Sequence, residues 1–375
     1  MYNDKSNSII GSSLRQYSTL LEPISLWLLL FLGVSIAFFS ALSPKLIAVN
    51  VPKSYQAERV MIFPPVLWHY LTIDSNDSHI LAIPKYIKDE AKENLLASLF
   101  PSIALKDEAL TSIGAIPLGV EQIMLLNPDR ILMWEQFSQR LDNVYFQGMV
   151  KLSYALFNDK TRLYTVLGEI THHQNRSAYL IDRDTKSIQM ILEHIPKESP
   201  EISVVVIGNK DNFSLWGSQF KRFNQILSFL HVNNSASKNS LNGATNIETL
   251  LMLDPAVIFI PSYSDHPLTP DEIYHDPRFF PLKAIQNRRV YVIPKGITKM
   301  EGPAEEPLLI MWLANILYPE LQPFKALRHS IVETYQEVYG YTPNDTQIDE
   351  LLHIQQNSSS QGYEIFLKEP YVTTF

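Results

Sequence analysis

Two glutamates occupy the same position in two similar segments of the sequence. The segments read GVEQIMLLNPDRILMW at residues 119–134 and NIETLLMLDPAVIFIP at residues 246–261, and they align without a gap. In each, a glutamate (Glu121 or Glu248) stands seven residues before a proline, near the start of a predicted helix. A carboxylate in the first helical turn interacts favourably with the helix dipole, by about 0.3–1 kcal/mol. That effect explains the two glutamates about as well as a functional role does, so the spacing alone leaves both open.

A second set of residues, aromatic and charged, follows the ends of the predicted strands. In open parallel sheets, ligands bind beyond the carboxyl ends of the strands. Flat, partly apolar ligands favour aromatic walls with a few polar groups. The sequence therefore predicts a binding cleft lined by Phe63, Trp134, Phe137, Arg140, Trp216, Tyr263, Lys299 and Glu301. Taken singly, each aromatic residue is better explained by core packing and each basic residue by solvation. It is their recurrence at strand ends that favours a cleft.

Metal-ion chemistry and catalysis have no recognisable signature in the sequence. The chain contains no cysteine, and its histidines, among them His69, His172, His173, His266 and His275, lack the spacing typical of a transition-metal site. The common phosphate-binding, dinucleotide-binding, zinc-protease and serine-hydrolase motifs are absent. We therefore expect no metal site, no catalytic residue and no resident cofactor. The formal net charge of -8 disfavours nucleic acid as a partner.

The N-terminal region carries one long apolar segment. From Ile24 to Leu42 the sequence is apolar apart from three serines, and Lys5 and Arg15 precede it. A run of about 20 apolar residues matches the thickness of a bilayer, and basic residues before such a run are typical of an export signal. We therefore predict that residues 1–47 form a signal peptide or an uncleaved membrane anchor. The remainder of the chain would then lie in the periplasm.

Short apolar runs alternate with helical patterns in both halves of the remaining chain. Such runs are typical of parallel strands covered on both faces, so the predicted class is α/β with mostly parallel sheets. The strands predicted from these runs include Arg59–Phe63, His79–Ile83, Ile131–Trp134, Asn143–Phe146, Ile202–Gly208 and Arg289–Pro294.

One long helix is predicted between the two halves. Residues 160–194 contain no proline, and their apolar residues recur at spacings of three and four. A length of 375 residues also favours more than one domain. We predict an N-terminal lobe at residues 58–157, a linking helix at 158–197, a C-terminal lobe at 198–325 and a C-terminal extension at 326–375.

The order of these features resembles one particular family. The repeated E-x6-P segment, the single linking helix, the run VYVIPKG…GPAEEPLLIMWLANILYPE and the tail TYQEVYGYTPNDTQIDELL are similar to those of certain periplasmic binding proteins. That family serves ABC importers of ferric siderophores, haem and cobalamin. The resemblance extends over about residues 59–352.

The resemblance implies a class III periplasmic-binding-protein fold, with two lobes joined by one long helix. It also implies a binding protein rather than an enzyme, which captures a metal chelate and delivers it to an ABC permease. In the family, one glutamate per lobe pairs with arginines of the permease. That role carries over to Glu121 and Glu248. Two alternatives stay open: a smaller ligand such as a nickel complex or a molybdate-like oxyanion, and a membrane-anchored protein of this fold without a transport function.

Overall fold

The protein is described here by a computed structural model. It describes residues 59–62, 66–92, 94–109, 124–135, 148–152, 159–196, 202–208, 213–218, 220–262, 268–297, 300, 304–320 and 326–367. The apolar segment at 24–42 and the strand predicted at Asn143–Phe146 lie outside these ranges. No helix within them is long and apolar enough to cross a membrane. Residues Asn50–Phe375 form one compact unit.

The first half of this unit builds a parallel sheet. Its strands are β1 (Val60–Ile62), β2 (Ile80–Pro84), β3 (Asp107–Ala109), β4 (Arg130–Trp134) and β5 (Met149–Leu152). They lie in the order β3-β2-β1-β4-β5, and all pairs are parallel. The side chains of β1 are buried throughout, as expected for a strand that is covered on both faces.

The second half builds a separate parallel sheet. Its strands are β6 (Ser203–Val206), β7 (Asn233–Asn234), β8 (Val257–Ile260) and β9 (Val290–Val292). They lie in the order β7-β6-β8-β9, again with all pairs parallel. Within the described ranges, each sheet takes its strands from its own half of the chain. The predicted α/β fold with two parallel sheets is confirmed.

The two sheets repeat the same strand pairing. In the first, β1 pairs with β4 from Val60↔Arg130 onward. In the second, β6 pairs with β8 from Val204↔Val257 onward, and Arg130 and Val257 are aligned in the two E-x6-P segments. The order β2-β1-β4-β5 therefore corresponds to β7-β6-β8-β9, and β3 is an additional edge strand of the first sheet. The sequence repeat is a structural repeat.

Helices connect and cover the strands. In the first half they are α1 (Val66–Asp74), α2 (Lys85–Ala91) and α3 (Asn94–Leu99), and between the halves α4 (Lys160–Thr171) and α5 (Gln174–Leu192). The second half contains α6 (Lys221–Phe229), α7 (Ser235–Lys238), α8 (Ile247–Leu253), α9 (Pro270–His275) and α10 (Lys283–Gln286), followed by α11 (Glu306–Leu317), α12 (Leu327–Tyr339) and α13 (Asp345–Leu351).

The prediction of one continuous linking helix is wrong. The segment forms two helices, α4 and α5, because His172 adopts a left-handed conformation with φ 60° and ends α4. A left-handed residue cannot continue a right-handed helix, and it costs a residue with a Cβ about 1–2 kcal/mol. The end of α4 is held to the first sheet by the buried Arg130, whose guanidinium donates to the Ile170 carbonyl at 2.7 Å.

The C-terminal segment completes the second sheet. The strand β9 lies at the edge of that sheet, where backbone groups lack a neighbouring strand. The fully buried side chain of Asn357 takes that place: its Oδ1 accepts from the Val292 amide at 2.7 Å, and its Nδ2 donates to the Val292 carbonyl at 3.1 Å. The Ser360 hydroxyl likewise donates to the Val290 carbonyl. Side chains of the tail thus satisfy most of the free edge of β9, and the Tyr274 hydroxyl of α9 accepts from the Val290 amide at 2.9 Å.

We expect Gly168→Ala to destabilise the protein by about 1–3 kcal/mol through overpacking, although alanine is the better helix former. A Cβ at this position in α4 would lie 2.6 Å from the Ser177 Cβ and 2.9 Å from its Oγ on α5. The double variant G168A/S177G removes both close atoms, so G168A should cost less in the S177G background than in the wild type. S177G alone should itself lower stability, because it loses the hydrogen bond from Ser177 to the Tyr164 carbonyl at 2.6 Å and places a glycine in α5. Urea denaturation measures the effect, with Glu169→Ala at the exposed neighbouring position as control. A stabilised G168A variant would contradict the close packing of α4 on α5.

Candidate functional site

Most of the predicted cleft residues lie outside the described ranges. These are Phe63, Phe137, Arg140, Tyr263, Lys299 and Glu301. The other two are placed at strand ends: Trp134 is the last residue of β4, and Trp216 lies in the turn that follows β6. Their contact with a ligand therefore stays a prediction.

Trp216 is held at the carboxyl end of β6 by its surroundings. Its backbone amide donates to the Val206 carbonyl at 3.0 Å, and its carbonyl accepts from Asn234 Nδ2 at 2.8 Å. The indole lies against Gly208, where any Cβ would overlap the ring. The ring also meets Phe220 edge-to-face, at 5.0 Å between centroids. The half-buried indole is therefore fixed where a ligand of a parallel sheet is expected.

A buried glutamate holds both flanks of the segment that carries Lys299 and Glu301. The Glu305 carboxylate is 1% exposed, and it accepts from the Ile297 amide at 2.8 Å and from the Tyr335 hydroxyl. Gly296 has φ +52°, and a Cβ there would lie 2.6 Å from a Glu305 oxygen. Gly296, Glu305 and Tyr335 lie in the runs that carry the family resemblance, but nothing in the sequence assigns them an individual role. The charged pair Glu305–Glu306 inside a mostly apolar run was the local signal.

Both E-x6-P segments contain the same turn, directly before the proline. Asn127 and Asp254, each directly before the proline, have φ 43° and 36°, and asparagine and aspartate tolerate this left-handed region better than most residues. The second residue after each turn residue then donates to the strand beside it: the Asp129 amide to the Arg59 carbonyl, and the Ala256 amide to the Ser203 carbonyl, both at 2.8 Å.

Glu248 lies in the first turn of α8 and is exposed. The start of that helix is already capped by Asn246, whose side chain accepts from the Thr249 amide at 2.9 Å. Glu248 therefore makes at most the small dipole contribution to folding. Glu121 lies outside the described ranges, so the docking role of the pair stays a prediction.

A buried charge cluster joins the linking helices to the second half. Lys160 on α4 lies 2.9 Å from Asp184 on α5 and 2.9 Å from Glu306 on α11, and Arg222 on α6 contacts both Glu306 oxygens. Burial opposes ionisation of Glu306, but the charges of Lys160 and Arg222 outweigh it and hold its pKa below the usual range. For Asp184 burial prevails over the Lys160 charge, so its pKa is raised.

The same cluster affects a histidine of the first half. Burial, followed by the charges of Lys160 and Arg222, lowers the pKa of His69 on α1 from 6.5 to about 3. A polar groove of about 360 Å³ borders the cluster and is lined in part by Tyr164 and Glu306. The groove has positive charges from α4 and α6 and negative charges from α5 and α11, and they balance one another. This balance favours a structural role for the cluster over the binding of an anion or a cation.

A larger cavity of about 710 Å³ lies between the first half and the tail. Leu95 of α3 lines one side, and Lys295, Gly296 and residues of α13 and the following turns line the others. Burial is the main cause that lowers the pKa of His353 in its wall to about 4. Among the described residues, no group of three or more histidines and carboxylates is arranged to hold a metal ion.

The chain is similar in sequence and fold to known binding proteins. Residues 117–296 match the family model described as periplasmic binding protein. A periplasmic solute-binding protein of Veillonella parvula is 20% identical, with a TM-score of 0.70 over 81% of this chain and 94% of its own. The molybdate-bound periplasmic binding protein MolA of Haemophilus influenzae is 16% identical, with a TM-score of 0.63 over 79% and 96%.

CeuE of Helicobacter pylori, in complex with nickel and histidine, is 17% identical, with a TM-score of 0.61 over 81% of this chain and 95% of its own. No curated protein matches the sequence at a significant level. The family model thus covers just under half of the chain, and the solved structures share its fold. The resemblance that the repeat and the C-terminal motifs predicted is confirmed.

We expect His69→Leu to flatten the loss of stability in acid. The pKa of His69 is lower in the folded protein, about 3, than the ordinary 6.5 of the unfolded chain. The unfolded state therefore binds the proton first. The contribution of His69 to stability is fully present above about pH 6.5 and is lost toward pH 3, by up to about 1.4 kcal/mol per pH unit. His353, whose pKa is lowered to about 4, adds to the slope in the upper part of this range. Urea denaturation from pH 7 to 4 measures how steeply the free energy of unfolding falls with pH. H69L should reduce this slope, and the exposed control His329→Gln should leave it unchanged. An unchanged slope in H69L would show that His69 is not the group responsible.

Proposed function

We propose that the protein is the extracytoplasmic solute-binding component of an ABC importer, which captures a metal chelate and delivers it to the permease. The observation that carries this proposal is the duplication. Each half has a parallel sheet with the same strand pairing, and an E-x6-P segment leads into the second strand of each pair. Two sheets of this kind suit a cleft between strand ends, and two similar outer surfaces suit a permease with two equivalent subunits.

The proposed ligand is a flat metal chelate such as a ferric siderophore, haem or cobalamin. Support comes from the aromatic residues predicted at the strand ends, of which Trp216 is fixed at the carboxyl end of β6. A smaller metal species is the second candidate. It is favoured by the molybdate bound to MolA and by the nickel–histidine complex of CeuE, two proteins with the same fold.

The proposed role is binding and not catalysis. Support comes from the lack of the common catalytic and nucleotide-binding motifs and from the match of residues 117–296 to a family model of periplasmic binding proteins. We further propose that residues 1–47 direct export and either are removed or anchor the protein to the inner membrane. A membrane-anchored protein without transport function would share the fold but bind no solute.

Native mass spectrometry of the full chain with a panel of chelates tests the ligand. The panel consists of ferric enterobactin, haem, cobalamin, nickel–histidine and molybdate. We expect one chelate to bind per chain, and Trp216→Ala to weaken it by about tenfold because a stacking wall is lost. The exposed aromatic control Tyr179→Ala should bind as the wild type does. Binding of nickel–histidine or molybdate alone would establish the second candidate, and the absence of any binding would contradict both.

Replacing both glutamates tests the docking role. We expect E121Q/E248Q to keep its stability and chelate affinity but to bind the permease more weakly, by about 2–5 kcal/mol for each charge pair lost at a desolvated contact. If the glutamates act only on helix dipoles, stability should instead fall by about 1–2 kcal/mol in total while uptake stays normal. The matched control is E169Q/E193Q, at two exposed positions on α4 and at the end of α5. Transport assays and urea denaturation separate the two outcomes.

A further inference from the structure

Two pairs of apolar side chains are exposed at matching positions of the repeat. Met124 and Leu125 are 72% and 83% exposed, and Leu251 and Met252 are 37% and 72% exposed. In the alignment of the E-x6-P segments, Met124 corresponds to Leu251 and Leu125 to Met252. Each pair stands three and four residues after the glutamate of its segment.

Such pairing is not the usual pattern of exposed apolar residues. Single exposed side chains of this kind are common on protein surfaces and need no explanation. The other large apolar residues exposed in the described ranges stand alone in the sequence: Leu105, Tyr179, Met190, Phe280 and Leu367. Among the described residues, adjacent exposed pairs therefore occur at the two repeat positions and nowhere else.

Folding does not account for the exposed pair on α8. The inward face of this helix carries Ile247, Leu250 and Leu253, which pack against the core of the second half. These positions recur every three residues and are sufficient to attach the helix. Leu251 and Met252 point away from that core, where polar residues would serve folding equally well.

The exposed pair shares a face with the predicted docking carboxylate. Residues three and four positions apart on a helix are neighbours on its surface, so Glu248 lies beside both Leu251 and Met252. The surface therefore combines an apolar patch with an anionic rim. A partner that fits it has an apolar socket beside a basic group.

Each pair is followed by a turn whose position is fixed by hydrogen bonds. In the first segment, the Arg59 guanidinium donates to the carbonyls of Leu126 and Asn127 at 2.7 and 3.1 Å. In the second, Asp254 accepts from the Lys283 amide at 3.0 Å and pairs with its ammonium at 2.7 Å. A surface that is ordered before binding loses less entropy on association.

We propose that Met124–Leu125 and Leu251–Met252 form the apolar contacts through which the protein docks on the two membrane subunits of its importer. This inference rests on the proposed function. The duplication selects the partner, because a surface that occurs twice in one chain fits a partner with two equivalent sockets. The apolar pairs supply contact area, and Glu248, which lies beside the second pair on α8, fixes the register there. Two other occupants, a second copy of the chain and the lipid bilayer, are outcomes of the test below.

The double variant L125Q/M252Q tests the proposal. We measure binding of the full chain to nanodiscs that contain the permease–ATPase complex of the same cell. L125Q/M252Q should bind about 100-fold more weakly than the wild type, at tenfold or about 1.4 kcal/mol per lobe. The matched control Met190→Gln removes an exposed apolar side chain on α5 and should bind normally. In high salt the effect of E121Q/E248Q should shrink because charge pairs are screened, whereas that of L125Q/M252Q should persist.

The possible results separate this inference from the proposed function. If the wild type does not bind the permease complex at all, the proposed function fails. If the wild type binds and L125Q/M252Q binds equally well, the function stands and the apolar docking surface is wrong. Loss of binding to empty nanodiscs in the variant would identify the bilayer as the occupant instead. A wild-type dimer that L125Q/M252Q converts to monomer in sedimentation velocity would identify a second copy.

Discussion

The buried carboxylate of Glu306 constrains how the halves of the protein are joined. A charge removed from water is tolerated only when opposite charges accompany it, and here they come from Lys160 on α4 and Arg222 on α6. The Lys160–Glu306 pair joins α4 to the second half, whereas Arg222 and Glu306 both belong to that half. The cluster therefore makes the linking pair part of the second half, while Arg130 fastens the end of α4 to the first sheet.

Features that depend on local pattern were predictable from the sequence. The short apolar runs identified β1, β2, β4, β6 and β9, and the gapless alignment of the two E-x6-P segments anticipated the shared strand pairing. The break in the linking helix was not predictable from periodicity, because apolar residues keep the same spacing on both sides of His172. What decides the break is the left-handed backbone at that residue and the packing of Ser177 on Gly168, and both depend on tertiary contacts.

The candidate site divides in the same way. The position of Trp216 after a parallel strand follows from sequence, and so does the first-turn position of Glu248. The environment of Glu305 does not, because its partners Ile297 and Tyr335 come from different elements. The exposed apolar pairs can be found in the sequence, but their exposure cannot. A hydrophobic residue in a helix is assigned to the core until the fold shows that it faces outward. The sequence therefore identifies candidate residues, and only the packing shows which of them are buried in the core and which are exposed.

The side chain of Asn357 imitates a neighbouring strand for Val292, and this has a consequence for biogenesis. Because Asn357 follows Val292 by 65 residues, this part of the β9 edge remains uncovered until the segment that carries Asn357 has been made. An uncovered edge with the sequence Val290-Tyr291-Val292 is a template for pairing with another chain. Removal of the segment that carries Asn357 and Ser360, by proteolysis for example, would thus yield a molecule prone to self-association. The tail therefore protects the edge of the second sheet from pairing with other copies of the chain.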